Sequence, residues 1–144
     1  MTIARDAGND WTISQVLTHR GRAACREGRV ALAEESMVES LRIAQALGAE
    51  VQTAEALETF AELALTKQAP ERAARIWGAT EHLREEIEAP ISFDEQADYQ
   101  RAVAAARVAL GDDAFDDAWY EGRAMPLEDA VKYALSGEDT PHRD

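Results

Sequence analysis

From Trp11 onward the apolar residues recur at spacings of three and four, and glycine or proline breaks divide the chain into seven segments. The first predicted helix spans 11–27 and stops at Gly28, with Trp11, Ile13, Val16, Leu17 and Ala24 on its apolar face. The second spans 29–47, where Val30, Ala33, Met37, Leu41, Ala44 and Leu47 form the stripe and Gly48 the stop. The third spans 50–67, carries Ala54, Leu57, Phe60, Ala61 and Ala64, and breaks at Pro70. The fourth spans 71–88, with Ala73, Ile76, Trp77, Thr80, Leu83 and Ile87, and ends before Pro90. Ser92 and Glu95 then read as a capping box, with Ile91 as its hydrophobic staple, opening a fifth helix to Leu110 that carries Tyr99, Val103 and Ala106. Gly111 stops it. Asp112 or Asp113 caps a sixth helix containing Phe115, Ala118 and Trp119, Gly122 releases the chain, and Pro126 starts a seventh with Leu127, Ala130, Val131, Ala134 and Leu135. No segment alternates as a strand does, so the expected class is all-α.

A shift of about 40 residues superimposes the first two helix pairs. Gly21 falls on Ala61, Ala24 on Ala64, Ala33 on Ala73, Met37 on Trp77 and Ser40 on Thr80. Antiparallel helices approach closely where side chains are small, and a bulky neighbour fills the groove beside the contact. The order Gly21, Ala24, Gly28, Ala33, Met37, Leu41 resembles the tetratricopeptide repeat, with a longer period. That resemblance implies a right-handed α-α superhelix over 11–136: pairs 11–48 and 50–88, a divergent pair 92–123 and a capping helix 126–136, between a flexible lead of residues 1–10 and a polar tail of 137–144.

Composition adds two constraints. The formal net charge is −13, with Asp112, Asp113, Asp116 and Asp117 crowded together, so neither nucleic acid nor an anionic membrane is an expected direct partner. The single cysteine, Cys25, forms no intrachain disulfide; packing in a helix is its expected role, in a reducing cytoplasm. No signal-peptide pattern or long apolar run is visible.

The second half resembles a more particular group. Arg72-Ala73-Ala74-Arg75, Gly78-Ala79-Thr80-Glu81, Leu83-Arg84, Pro90, Tyr99, Ala106-Arg107, Leu110-Gly111, Phe115, Ala118-Trp119, Glu121-Gly122-Arg123 and Leu127-Glu128-Asp129-Ala130-Val131 are similar to the C-terminal helical-repeat region of large bacterial LuxR-type and AfsR/SARP-type regulators, linked to STAND ATPase modules. Pro126 departs from the usual Ser or Thr there. The chain has no GxxxxGK[ST] loop and no recognisable helix-turn-helix, so neither ATPase nor DNA-binding activity carries over. The resemblance implies a cytoplasmic regulatory module of a transcriptional regulator or signalling ATPase.

Chemistry is sparse. His19, His82 and His142 lie far apart, no HxxxH or CxxC spacing occurs, and the paired carboxylates fall on helix faces expected to meet water. Arg72, Arg75, Arg84, Arg101, Arg107 and Arg123 are expected to pair within helices, as Arg84 with Glu88. The reading is therefore a non-enzymatic scaffold without cofactor or metal, binding a protein or peptide on the face of the first helix of each pair. Candidate contacts are His19, Arg22, Arg26, Glu55, Glu58, Glu62 and Gln100. The alternatives are a small-molecule inducer sensor of MalT-like type, or a module that self-associates, as a homodimer, through Ile13, Val16 and Leu17. Phe115, Trp119, Leu127 and Val131 are expected to cap the stack.

Overall fold

The computed structural model describes residues 7–136 of the 144-residue chain. Residues 1–6 of the expected lead and the whole expected tail, 137–144, lie outside the described residues. Seven helices and no strands occur among those described: α1 (Ala7–Arg26), α2 (Val30–Leu47), α3 (Glu50–Thr66), α4 (Pro70–Ile87), α5 (Phe93–Leu110), α6 (Asp112–Arg123) and α7 (Leu127–Ser136). The all-helical expectation holds. Helix α1 starts four residues earlier than expected, so residues 7–10 are helical rather than a loose lead. Asp10 lies in the first turn, where a carboxylate meets the positive helix end, and Thr12 donates to the Gly8 carbonyl at 3.1 Å.

All ten residues paired by the 40-residue shift are buried. Met37 and Trp77 fill matching positions, and Ser40 and Thr80 are both fully enclosed. Gly48 takes the left-handed conformation (φ 64°) and donates back to Ala44 and Gln45, closing α2 as its sequence suggests. Pro70 occupies the first position of α4, where its missing N–H is no loss.

The inward face of α1 is only partly the predicted apolar one: Ala24 is buried, and Ile13 and Leu17 are half-buried. Val16 is 59% exposed and Trp11 44% exposed. Ser14, Thr18, Gly21 and Cys25 face inward instead. Ser40 of α2 donates to the Ser14 carbonyl at 2.9 Å, and its hydroxyl lies 2.7 Å from that of Thr18. Small hydroxyl side chains satisfy each other in the close contact of α1 and α2, which bulkier apolar ones would force apart. Cys25 packs with Ala24, Ala33 and Leu63, and burial raises its thiol above the usual range.

Helix α4 is the hub. Every residue from Arg72 to Thr80 is buried, and α4 packs against α3, α5, α6 and α7. Its closest neighbour in the second half is α6, not the intervening α5. A Cβ on Gly78 would lie 2.1 Å from the Trp119 carbonyl oxygen, and one on Gly122 would lie 1.9 Å from the Arg75 carbonyl oxygen. The two backbones therefore cross in direct contact, which only glycine allows. This corrects the reading of Gly122 as a helix exit: it is buried inside α6, one residue before its end.

Helix α5 pays for this arrangement in contacts. Ala106 is its one buried residue, while Phe93 and Val108 are 88% and 85% exposed. Ser92 sits at its N-cap but makes no side-chain cap bond, so the expected capping box is absent. The Glu95 N–H donates instead to the Ser92 carbonyl at 3.0 Å. The Glu95 carboxylate is drawn away to arginines of α1, a stronger charge-assisted partner.

Helix α7 is held by α4. Arg72 donates to the Tyr133 and Ala134 carbonyls at 2.6 and 3.0 Å and stacks 4.5 Å over the Tyr133 ring. Of the expected cap residues, Phe115 and Val131 are buried, whereas Trp119 and Leu127 are partly buried against the same core. Trp119 lies 5.3 Å from Phe115 and donates to Glu81 at 2.9 Å.

Gly→Ala in a helix is ordinarily favourable by up to about 1 kcal/mol. At Gly78 or Gly122 we predict the reverse: a loss of at least about 2 kcal/mol in urea unfolding, because the added methyl meets backbone. Gly21→Ala, whose methyl would meet the flexible tip of Met37 (2.3 Å to its Sδ), should lose less than either.

Candidate functional site

The candidate contacts converge. Residues 19, 22 and 26 of α1 and 55, 58 and 62 of α3 follow the same three-then-four spacing, which places each set on one helix face. His19, Arg22, Glu55 and Glu58 line one groove of about 280 Å³. Glu58 and Gln100 line a second, of about 520 Å³. Arg26 and Glu62 pair at 3.3 Å beside them. The two grooves share Glu58, Arg84, Ala89, Pro90 and Ile91, and so form one depression. It lies between α1 and α3, the C-terminal half of α4, and α5.

The floor is an ion pair. Arg84 donates to both carboxylate oxygens of Glu58, at 2.6 and 2.8 Å, and to the Ala89 carbonyl at 2.9 Å. Both side chains are only 10% exposed. This replaces the expected Arg84–Glu88 pairing. Glu88 instead closes α4 in a left-handed conformation (φ 53°), which turns the chain sharply into the Ala89–Ser92 loop that walls the depression. Burial raises the Glu58 carboxyl above the ordinary range against the pull of Arg84. Tyr99 is also pushed up, by burial and then by the nearby Glu58 and Glu81 charges. Its ring meets Trp77 edge-on at 6.2 Å.

Ionic contacts bridge the mouth. Arg22 reaches Glu95 at 3.4 Å, and Arg26 reaches Glu95 and Asp98, both at 3.4 Å. These contacts tie α1 to α5 across about 70 residues of sequence. Arg22 is largely buried, and its Nε has no hydrogen-bond partner among the described residues. On the far side of α5 lies a third groove, of about 540 Å³, lined by Tyr99, Val103, Phe115, Trp119 and Tyr120. It shares Glu81, Glu85 and Tyr99 with the second. Arg123 pairs with Glu81 at 2.6 Å and Glu85 at 2.7 Å there, holding the Glu85 carboxyl below its ordinary range.

Sequence reasoning missed Arg84, Glu95 and Tyr99. One signal was available: Glu58 sits in a run of otherwise uncharged, buried positions of α3, and a carboxylate there needs a cationic partner. Among the described residues, no group of three or more His, Cys, Asp or Glu side chains is placed to hold a metal ion. None of the described helices is long and apolar enough to cross a membrane.

No family model matches this chain, and no solved structure matches it. Three curated relatives are similar to it. "Putative HTH-type transcriptional regulator Rv0890c" and its counterpart MT0914, both from Mycobacterium tuberculosis, and Mb0914c from Mycobacterium bovis are each 34% identical over 134 residues, 93% of this chain. The chain spans 15% of the length of these relatives.

Breaking a buried pair strands the remaining charge, at a typical loss of about 3–5 kcal/mol. Glu58→Gln should therefore lower stability by several kcal/mol in urea unfolding at pH 7. The double change Glu58→Leu with Arg84→Met should recover most of that loss. A double variant as unstable as the single one would show that the pair does not act as a unit.

Proposed function

We propose that this chain is a non-catalytic helical-repeat module for protein–protein interaction, serving as the regulatory part of a bacterial transcriptional regulator or signalling ATPase. The observation that carries this reading is the single depression on which residues of α1, α3, α4 and α5 converge. Its deep charges neutralise each other: Glu58 is held by two hydrogen bonds from Arg84, an arrangement suited to shaping a surface rather than exchanging protons. Similarity to a segment of proteins named as transcriptional regulators supports the regulatory setting. The tetratricopeptide-like repeat belongs to this same reading, supported by the matched burial of the two helix pairs, and so does the LuxR-type or AfsR/SARP-type relationship, which rests on the sequence resemblance of the second half. A cytoplasmic setting follows from it.

A second reading has its own support. The 520 Å³ groove has the size of a small-molecule pocket, with Pro90, Ile91 and Tyr99 as apolar walls and Gln96 and Gln100 as polar groups. An inducer would bind there. Self-association, with Trp11 and Val16 exposed on α1, is a third use of the same scaffold.

A photo-crosslinking residue at Gln100, in bacteria expressing the chain, is expected to trap a discrete adduct with another protein. The same residue at exposed Arg42 on α2 should not. A self-adduct would favour the homodimer. No adduct, together with a metabolite that raises the melting temperature by several degrees, would overturn the interaction reading in favour of the inducer.

A further inference from the structure

We propose that the partner is a basic, extended peptide segment docked along the shared depression of α1, α3, α4 and α5, its lysine or arginine side chains seated against Glu55, Glu88 and Asp94. The proposal rests on the interaction reading above and names the chemistry of the partner.

The charges of the depression do not balance. Glu58 is paired with Arg84 and Glu95 with Arg22 and Arg26, while Glu81 and Glu85 share the one guanidinium of Arg123. Glu55, Glu88 and Asp94 line the same walls and form no ion pair among the described residues. Three carboxylates without an ion pair around one concave surface attract a cation and repel an anion.

Two further groups favour a peptide over a bare cation. Arg22 is nine-tenths buried, its enclosed Nε donates to nothing among the described residues, and its remaining contacts to Glu95 and Thr59 are 3.4 Å long. The Gln100 amide, exposed at the rim, makes no hydrogen bond among the described residues. The terminal nitrogens of Arg22, held only at 3.4 Å, and the exposed Gln100 amide suit neutral carbonyl acceptors, because a second anion would meet Glu55 and Glu58. A peptide backbone supplies such carbonyls at regular intervals. Pro90, Ile91 and the Tyr99 ring offer apolar surface to the aliphatic stem of a lysine or arginine, and the ring face suits its charged end.

The test uses the full chain and three pools of fluorescent dodecapeptides, matched in apolar composition, with net charges of about +3, 0 and −3. Binding is read by anisotropy. The positive pool should bind about ten-fold more tightly than the neutral one. Glu55→Gln, Glu88→Gln and Asp94→Asn together should erase that preference. Asp113→Asn, Asp117→Asn and Asp129→Asn remove as much charge from exposed, unpaired positions on α6 and α7, and should retain it. Thermal melts check that both variants stay folded. Equal losses in the two variants would overturn the proposal, since whole-surface charge would then explain the binding. So would binding by all pools without charge preference, which would leave the interaction reading standing. A failure of every pool would sink the basic-peptide proposal, and a persistent crosslink at Gln100 would still support an interaction with some other surface.

Discussion

The backbone crossing of α4 and α6 at Gly78 and Gly122 governs the second half of the molecule. Each glycine seats against a carbonyl of the opposite helix, so the axes approach as closely as main chain permits. With α6 lodged there, α5 packs against α4 far less than α6 does. It spans the structure with a single buried residue, and the spaces on either side of it are the 520 and 540 Å³ grooves. A close contact in one place thus produces open volume in another.

The arginines of α4 extend that control to its neighbours. Arg72 holds the last carbonyls of α7, Arg75 pairs with Glu121 of α6 at 2.9 Å, and Arg84 binds Glu58 of α3. A helix buried on all sides would ordinarily be apolar on all sides. Here three guanidiniums replace apolar surface, each aimed at a different helix. Buried ion pairs add little net stability over hydrophobic isosteres. Their directionality fixes the rotation of α4 and, with it, the registers of α3, α6 and α7.

Much of this was legible in the sequence. The 3.6-residue periodicity and the glycine and proline breaks located seven helices, and the 40-residue shift identified positions that are all buried. The candidate contacts on α1 and α3 converged because their common spacing selects one face of each helix. What stayed hidden was partner choice. Periodicity marks α4 as a packed helix, but not that Arg84 meets Glu58 in preference to Glu88. Gly122 stands one residue from a helix end, where a glycine resembles a terminator; only the carbonyl of Arg75 against it reveals a contact. The face of α1 was partly misjudged because Ser14 and Thr18 bond to Ser40 of α2 across a close interface beside Gly21, whereas hydropathy alone favours Val16.

The central claim is that α4 and α6 form one locked unit on which α5 rests loosely. Native-state hydrogen exchange tests it most directly. The amides of residues 73–80 and 115–122 should exchange slowest and together, through global opening. Those of α5 should exchange faster, through an opening that leaves α4 and α6 protected. An α5 as slow as α4, or an α6 that opens independently of α4, would contradict the account.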